Sequence, residues 1–235
     1  MVQLTPNKPY VTLRVKFKKV GSLQYISHLD LVRTMHKIIV RARLPLWYTE
    51  GFNPKPKMVF AAPLSIGTES LCEFMDIRLI DDIPPDEAMA RLNANMTEEM
   101  QVLDAYYTEG KLTDLKWLFY EIGIMTDGAT EELAAAAEKY LLGESVTVEK
   151  KTKPGEPTKT VDIRSQIKSA SCRLFDGLIR ISTTLSADAS AFLNPEYVVS
   201  ALKRELGILS NPDLTKEYYT IMRLNAYRAD MTEFK

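Results

Sequence analysis

The sequence predicts an α+β protein of two tandem ferredoxin-like units, each with the element order β-α-β-β-α-β. Stretches whose apolar residues alternate, as in half-buried strands, are separated by stretches with helical spacing. Nearly the same order of elements then occurs twice within 235 residues. The predicted domains are a basic N-terminal domain at residues 1–112 and an acidic C-terminal domain at residues 113–235. One continuous α+β domain with a wide sheet is the alternative, because a chain of this length can bury one large core or two small ones.

The first strand and the first helix have the clearest patterns. Apolar and basic residues alternate through residues 11–17, which predicts a strand with one face in a core. Residues 28–43 change to helical spacing, with apolar residues on one stripe. Ser27 occupies the position of an N-cap, and Asp30 in the first turn suits the positive end of the helix dipole. The helix is expected to end before Pro45.

The first unit continues with shorter elements. They are predicted as short strands at 46–49 and 58–62, a longer strand at 71–80, a helix at 84–96 and a strand at 102–108. The longer strand is expected to turn Leu71, Met75, Ile77 and Leu79 inward. Glu73 falls on the same inward register, where a carboxylate needs a partner such as a basic side chain. Gly67 is expected to supply a backbone conformation that favours glycine.

The second half gives nearly the same order after a boundary near residues 109–113. Its predicted elements are a strand at 115–124, an alanine-rich helix at 130–142, a strand at 145–152, a turn at 153–157, a strand at 178–185, a helix at 195–206 and a strand at 218–227. Residues 161–169 are expected to begin as a strand and to end in a helical turn. The two halves share this order without sequence identity.

Charge is distributed unevenly along the chain. The first 67 residues hold eleven Lys and Arg against two acidic residues, whereas the remainder holds 19 basic and 29 acidic residues. A concentrated positive field raises the encounter rate with phosphates or acidic surfaces, so one end is expected to meet an anionic partner. The alternative is a set of solvated lysines that the acidic half compensates in space.

The first helix and the loop after it supply the candidate binding residues. Arg33, Lys37 and Arg41 recur every four residues, which predicts a basic stripe that can follow a phosphate backbone. In the loop 50–57, Gly51 and Pro54 favour a shaped, hairpin-like excursion. The further candidates for contact with RNA are Arg43, Phe52, Asn53, Lys55 and Lys57, with Tyr48 as a second aromatic residue.

His28 is the candidate for chemistry, because a neutral imidazole at a helix start can act as an acid or a base. A histidine next to Ser27 and Asp30 is more often a capping or hydrogen-bonded residue, so a structural or ligand-contact role is the favoured interpretation. His36 lies eight residues further, too far for both imidazoles to bind one metal ion. No metal site and no cofactor are predicted.

Several classes of protein are excluded or disfavoured by the sequence. The chain lacks the local motifs GxxxxGK[ST], GxGxxG, CxxC and GxSxG. Cys72 and Cys172 are a hundred residues apart, which disfavours a disulfide framework and excludes a three-cysteine iron–sulfur motif. Apolar runs are much shorter than the ~20 residues of a membrane helix, and no secretory signal is recognised. A cytoplasmic location is expected.

The stretch YISHLDLVRTMHKIIVRARLPLWYTEGFNPKPKMVFAAPLSIGTESLCEFMDIRL resembles the radical-SAM-linked domain family. The resemblance rests on the SHLD helix start at 27–30, the arginines of the helix, the GFNPKPK loop at 51–57, the PLSIG turn at 63–67 and the SLCE step at 70–73. It covers residues 11–110 strongly and the second half only in outline. One departure is His36, Lys37 and Ile38, where the family pattern has more arginines.

The resemblance implies an accessory role. Family members are fused to, or encoded beside, a radical-SAM protein with a cobalamin-binding-type domain, often near a ribonuclease of the E/G type and ribosomal proteins. It therefore implies a radical-SAM protein as partner and a connection with RNA or ribosome modification. The leading hypothesis is a non-catalytic adaptor that presents RNA or another anionic substrate. The alternative is a metal-independent RNA-processing enzyme with His28 as its acid or base.

Overall fold

The computed structural model describes residues 10–150 and 158–235, so the predicted turn at 153–157 lies outside the described residues. The chain divides into two compact units, called unit 1 and unit 2. Unit 1 comprises Met1–Asp114 together with Lys235, and unit 2 comprises Leu115–Phe234. Both units combine helices with antiparallel strands, which confirms the predicted α+β class.

Unit 1 has the predicted order of elements except for the short strand expected at 46–49, where the structure has only isolated β-bridges at Leu46 and Tyr48. Its elements are β1 (Val11–Lys19), α1 (His28–Arg41), β2 (Met58–Phe60), β3 (Thr68–Leu79), α2 (Pro85–Asn93) and β4 (Met100–Tyr107). β1 pairs with β3 and with β4, and β2 pairs with β3, all antiparallel. The strand order β4-β1-β3-β2 is that of a ferredoxin-like split βαβ unit.

The core of unit 1 lies between one face of its sheet and the two helices. Its fully buried members include Leu13, Val15 and Phe17 of β1, Met75, Ile77 and Leu79 of β3, Met35 and Ile39 of α1, and Ala88 and Leu92 of α2. Burial of each large side chain contributes about 1.5–3 kcal/mol. The alternation along β1 and the helical spacing along α1 match this core because each pattern places one apolar face toward the other.

Two details of unit 1 correct the expectations. α1 ends at Arg41 rather than 43, because Arg43 adopts a left-handed φ of 52°. Leu71 is exposed rather than inward. The pairing of β1 with β3 shifts register between Phe17 and Lys19, and this bulge breaks the simple alternation that predicted an inward Leu71. Glu73 is buried, 4% exposed, and pairs in register with Phe17, so its inward position is confirmed.

Unit 2 repeats the strand order with an insertion. Its elements are β5 (Trp117–Met125), α3 (Glu131–Leu141), β6 (Thr147–Lys150), β7 (Lys159–Asp162), β8 (Ile167–Phe175), β9 (Leu178–Ser186), α4 (Glu196–Leu206) and β10 (Tyr218–Tyr227). The sheet order is β10-β5-β9-β8, with antiparallel pairs throughout. β6 and β7 pair with each other as a separate hairpin between α3 and β8.

The strand β8 was not predicted. The expected strand start and helical turn within 161–169 correspond to the end of β7 and to a short 3-10 turn at Arg164–Gln166. β8 follows directly, and its sequence IKSASCRLF contains serine, lysine and arginine at many positions. Five of its nine residues are exposed because it pairs with β9 alone within the sheet of unit 2, so it lacks the strong apolar alternation of the inner strands.

Each unit covers the open side of an outer strand with side chains from a helix. In unit 1, Asn93 accepts a hydrogen bond from the amide of Val102 at 2.8 Å and donates one to its carbonyl at 3.0 Å. In unit 2, the Glu138 carboxylate accepts from the amide of Cys172 at 2.7 Å. These contacts occupy backbone groups that would otherwise be available for pairing with another chain. Within the described ranges, no helix is both long enough and apolar enough to cross a membrane.

Candidate nucleic-acid interface

The outer face of α1 carries the predicted basic stripe. Leu31, Met35, Ile38 and Ile39 are buried against the sheet. Arg33, Lys37 and Arg41 lie on the other side of the helix and are exposed. At 1.5 Å of rise per residue, the stripe extends over about 12 Å from Arg33 to Arg41.

The helix start holds the first cation of the stripe. The hydroxyl of Ser27 accepts a hydrogen bond from the amide of Asp30 at 3.1 Å and donates one to its carboxylate at 2.7 Å, which confirms Ser27 as the N-cap. The Asp30 carboxylate then pairs with Arg33 at 3.3 Å. The hydrogen bond from Ser27 lowers the pKa of Asp30, and Arg33 lowers it further. The charge of Arg33 is therefore partly compensated, although both side chains are exposed and such a pair is weak.

The remaining cations of this region are uncompensated. Within residues 10–150 and 158–235, the side chains of Lys37, Arg41, Arg43, Lys55 and Lys57 have neither an ion pair nor a hydrogen bond. Arg43 takes part only through its backbone: its carbonyl accepts a hydrogen bond from Arg91 at 3.1 Å, and its amide donates to the carbonyl of Val40 at 3.1 Å. We refer to these five side chains as the free cations. A phosphate that approaches them does not have to displace an existing carboxylate partner.

The loop after α1 is the predicted hairpin-like excursion. The amide of Thr49 donates to the carbonyl of Lys55 at 2.9 Å, and the amide of Lys55 donates to the Thr49 hydroxyl at 3.1 Å. Tyr48 and Pro56 form an isolated β-bridge at the stem. Gly51 adopts a φ of 115°, which a residue with a side chain rarely tolerates. The structure confirms that Gly51 serves the shape of the loop.

The tip of the loop projects an aromatic ring into solvent. Phe52 is completely exposed, and Asn53, Pro54 and Lys55 beside it are exposed as well. Tyr48, the other aromatic residue of the prediction, is half-buried and packs against the core of unit 1. Phe52 is therefore the loop residue whose ring is open to a ligand.

His28 is half-buried at the start of α1. Its ring lies edge-on to Phe60, with the ring centroids 5.4 Å apart, and Phe60 in turn meets Phe17 edge-on at 6.2 Å. Among the described residues, the His28 imidazole has no hydrogen-bond partner. A general base is normally oriented by a second polar group. The surroundings of His28 instead indicate a packing role. His36 is occupied by the carbonyl of Val32, 3.0 Å from its Nδ1.

Lys19 near the end of β1 and Gly67 just before β3 both have hydrogen-bonded positions within unit 1. Lys19 is 2% exposed on the same side of the sheet as Glu73, and its Nζ donates to the carbonyl of Leu23 at 3.0 Å. Gly67 has a φ of 82° and donates its amide to the carbonyl of Gln24 at 2.9 Å. The expected backbone role of Gly67 is confirmed.

The positive charge belongs to one region of unit 1 and not to the whole unit. Residues 1–114 contain fourteen basic and fourteen acidic residues, because twelve acids follow residue 67. Several of these acids are engaged elsewhere in the unit, for example Asp76 with Arg14 at 2.7 Å and Glu99 with Ser22. The asymmetry along the sequence thus becomes a local feature of α1 and the loop.

The described residues contain no group of three or more His, Cys, Asp or Glu side chains that could hold a metal ion. Cys72 is buried and Cys172 is partly buried, and neither forms a disulfide. Burial raises the pKa of the Cys172 thiol to about 12, and the nearby Glu138 carboxylate adds to this effect. The partly buried thiol is therefore protonated and poorly reactive at neutral pH.

Comparison with known proteins places the chain in a family. Residues 12–195 match the family described as "Uncharacterized protein conserved in bacteria (DUF2344)", and the chain belongs to this family. No curated protein matches the chain.

Two solved structures illustrate the remaining similarity. An unknown protein from Galdieria sulphuraria is 11% identical, with 92% of this chain and 99% of that chain covered and a TM-score of 0.27. DyPB from Rhodococcus jostii is 8% identical, with 93% of this chain and 91% of that chain covered and a TM-score of 0.20. Neither likeness supports an argument about fold or function at such scores.

Proposed function

We propose that this chain is an accessory protein of a radical-SAM enzyme and that unit 1 binds RNA through α1 and the loop that follows it. The observation that supports RNA binding is the presence of five free cations in one short region, together with the fully exposed ring of Phe52. Phosphates interact with Lys and Arg side chains whatever the base sequence, and aromatic rings stack on bases that are not paired. The combination favours a flexible single strand over a duplex.

The choice of partner is supported by the sequence motifs. The SHLD helix start, the GFNPKPK loop and the PLSIG turn resemble the radical-SAM-linked domain family, whose members accompany radical-SAM proteins. The two cysteines of this chain are too few to hold an iron–sulfur cluster. In a complex of this chain with a radical-SAM protein, the cluster would therefore belong to the radical-SAM protein. The role that remains for this chain is to bind the partner and to hold its substrate.

Binding of RNA is tested by titrating a labelled single-stranded RNA across a series of salt concentrations. If the five free cations contact phosphates, the logarithm of the binding constant should fall with the logarithm of salt with a slope of about −3.5. The double variant Lys37→Glu with Arg41→Glu should weaken binding by about a hundredfold at low salt and should reduce the slope.

The matched control is Lys139→Glu with Lys216→Glu, which makes the same change in net charge at two exposed positions of unit 2. Its affinity for RNA should equal that of the wild type. Equal binding by all three proteins at every salt concentration would show that α1 is not an RNA-binding surface.

The partner is tested by capture from a native lysate with tagged wild-type protein and with the α1 double variant. Recovery of a radical-SAM protein by both proteins, with a defined RNA recovered by the wild type alone, is the expected result. Absence of a radical-SAM protein from both would contradict the accessory role. Cleavage of RNA by the purified protein, stopped by His28→Ala, would instead favour the enzymatic alternative.

A further inference from the structure

Three large apolar side chains are exposed at the end of unit 1 where α1 begins. Tyr25 is 68% exposed, Leu29 is 56% exposed and Ile66 is 59% exposed. We refer to them as the apolar patch. Large apolar side chains are usually buried inside a protein. Three of them exposed at one end of the unit therefore point to a contact with another molecule.

The backbone brings the members of the patch together. The amide of Gly67 donates to the carbonyl of Gln24 at 2.9 Å, which fixes the turn that carries Ile66 beside the segment that carries Tyr25. Leu29 lies in the first turn of α1, four residues after Tyr25. Backbone hydrogen bonds and the N-cap Ser27 therefore hold the backbone that carries these three side chains.

The patch continues the line of the basic stripe. Leu29, Arg33, Lys37 and Arg41 follow one another at intervals of four residues along the outer face of α1. Side chains at this spacing are neighbours on a helix surface. A strand whose phosphates contact Lys37 and Arg41 would therefore reach the apolar patch with its next nucleotides.

We propose that Tyr25 stacks against an unpaired base of the bound RNA, with Leu29 and Ile66 forming the apolar sides of that base site. The proposal rests on the proposed function, and it assigns a stacking residue that the sequence patterns did not single out. The charge of the neighbouring stripe is complementary to a nucleic acid, and an aromatic ring beside such a track is a common base platform. Among the described residues, no side chain or backbone group bonds the Tyr25 hydroxyl, so the ring is not held for an internal contact.

The test compares wild type, Tyr25→Ala, Tyr25→Phe and the unit 2 control Tyr218→Ala in binding a labelled single-stranded oligouridine. Tyr25→Ala should weaken binding by about tenfold, and Tyr25→Phe should bind within about twofold of wild type because the ring remains. Tyr218→Ala should bind as wild type. The salt slope should be unchanged in all four, because no phosphate contact is removed.

A second probe is the same oligonucleotide with abasic sites in place of its bases. It should bind wild type and Tyr25→Ala equally, since there is no base left to stack. Equal binding of oligouridine by wild type and Tyr25→Ala, with binding still lost in the α1 double variant, would overturn the base site and leave the proposed RNA binding intact. Loss of the captured radical-SAM protein in Tyr25→Ala, with unchanged affinity for RNA, would overturn it as well by showing that the patch binds protein.

Discussion

α1 and α3 are the first helices of two units with the same strand order, yet their outer faces differ. α1 exposes Arg33, Lys37 and Arg41, whereas α3 exposes Glu131, Glu132, Ala135 and Lys139. The carboxylate of Glu138 on α3 is used within its own unit, where it accepts a hydrogen bond from the edge strand β8. The fold therefore does not decide what these helices do. The exposed residues of α1 make that helix available to an anionic ligand. Glu138 of α3 instead contacts the edge strand of its own sheet.

The cations of unit 2 illustrate the same difference. Lys168 lies over the ring of Trp117 at 4.7 Å, and Arg180 lies over the ring of Phe175 at 4.2 Å. Lys116 pairs with Asp188 at 2.5 Å. Each of these contacts is modest by itself, but each gives the cation a partner inside the unit. The free cations of unit 1 have no such partners among the described residues and follow one another along α1 and its loop, whereas exposed lysines of unit 2 such as Lys139 and Lys216 lie on separate segments.

The largest difference in stability between the units should come from their ion pairs. Arg14 is completely buried and holds Asp76 with two hydrogen bonds, at 2.7 and 2.9 Å. Asp76→Ala removes the carboxylate from a buried guanidinium and should lower the free energy of unfolding by about 3–5 kcal/mol. Glu121→Ala in unit 2 removes a carboxylate 3.8 Å from Arg180 in a partly exposed pair, and its cost should be below about 1 kcal/mol.

Urea unfolding of both variants measures these losses. Equal losses in the two variants would show that burial of the Arg14 pair does not matter. A double variant in which apolar residues replace both Arg14 and Asp76 separates the cost of an unpaired charge from the value of the pair. It should be more stable than Asp76→Ala.

Removal of the edge contacts should have the next largest effect. Asn93→Ala breaks both side-chain hydrogen bonds to Val102 and leaves a partly buried amide and carbonyl without these bonds, so it should cost about 1–3 kcal/mol. Glu138→Ala breaks one contact to β8 and should cost less. Both variants should also associate more readily than wild type, because an open strand edge can pair with another chain. Light scattering with concentration measures the association, and unchanged scattering in Asn93→Ala would argue against a protective role.

The two N-caps should contribute similarly despite the different helices. The Ser27 hydroxyl accepts from the amide of Asp30 at 3.1 Å, and the Thr130 hydroxyl accepts from the amide of Leu133 at 3.2 Å. Ser27→Ala and Thr130→Ala should each cost about 1 kcal/mol.

Ser27→Ala should in addition show a pH dependence that isolates Asp30. The Ser27 hydrogen bond lowers the pKa of Asp30 in the folded protein, so the stability linked to this carboxylate is present above its ordinary pKa and is lost as the pH falls through the lowered pKa. The difference between wild type and Ser27→Ala should therefore shrink in acid. Unfolding measured at neutral and acidic pH provides the check, and a difference that stays constant would exclude the contribution of Asp30.

The smallest effect concerns the two cysteines, where no change in stability is expected. Cys72 is 1% exposed, and the partly buried Cys172 has a pKa of about 12. Alkylation by iodoacetamide at pH 8 should be slow at both sites in the native protein and fast in urea. Glu138→Gln should accelerate the reaction of Cys172, because it removes a negative charge that raises the pKa of the thiol. Rapid reaction of Cys172 in the native protein would contradict a protonated thiol at this position.

The positions of the helices and inner strands could be predicted from local patterns, because each of these elements buries one face. The last strand, 218–227, was predicted with the bounds that the structure shows. The edge strand β8 was missed because its exposed residues interrupt the apolar alternation. Leu71 was misplaced because the bulge beside Glu73 depends on the pairing of β3 with β1, and that pairing joins segments fifty residues apart.

For the candidate interface, the sequence determined which residues are basic and that three of them share a helix face, since the spacing of an α-helix is fixed by its backbone geometry. The pairing of Arg33 with Asp30 is local, but tertiary structure decided that the other cations are free, because ion pairs can also join residues that are distant in the sequence, as Arg14 and Asp76 are. It also decided that Tyr48 packs inside while Phe52 and Tyr25 face solvent. Local periodicity describes one element at a time, whereas the partners of a side chain depend on which elements pack together.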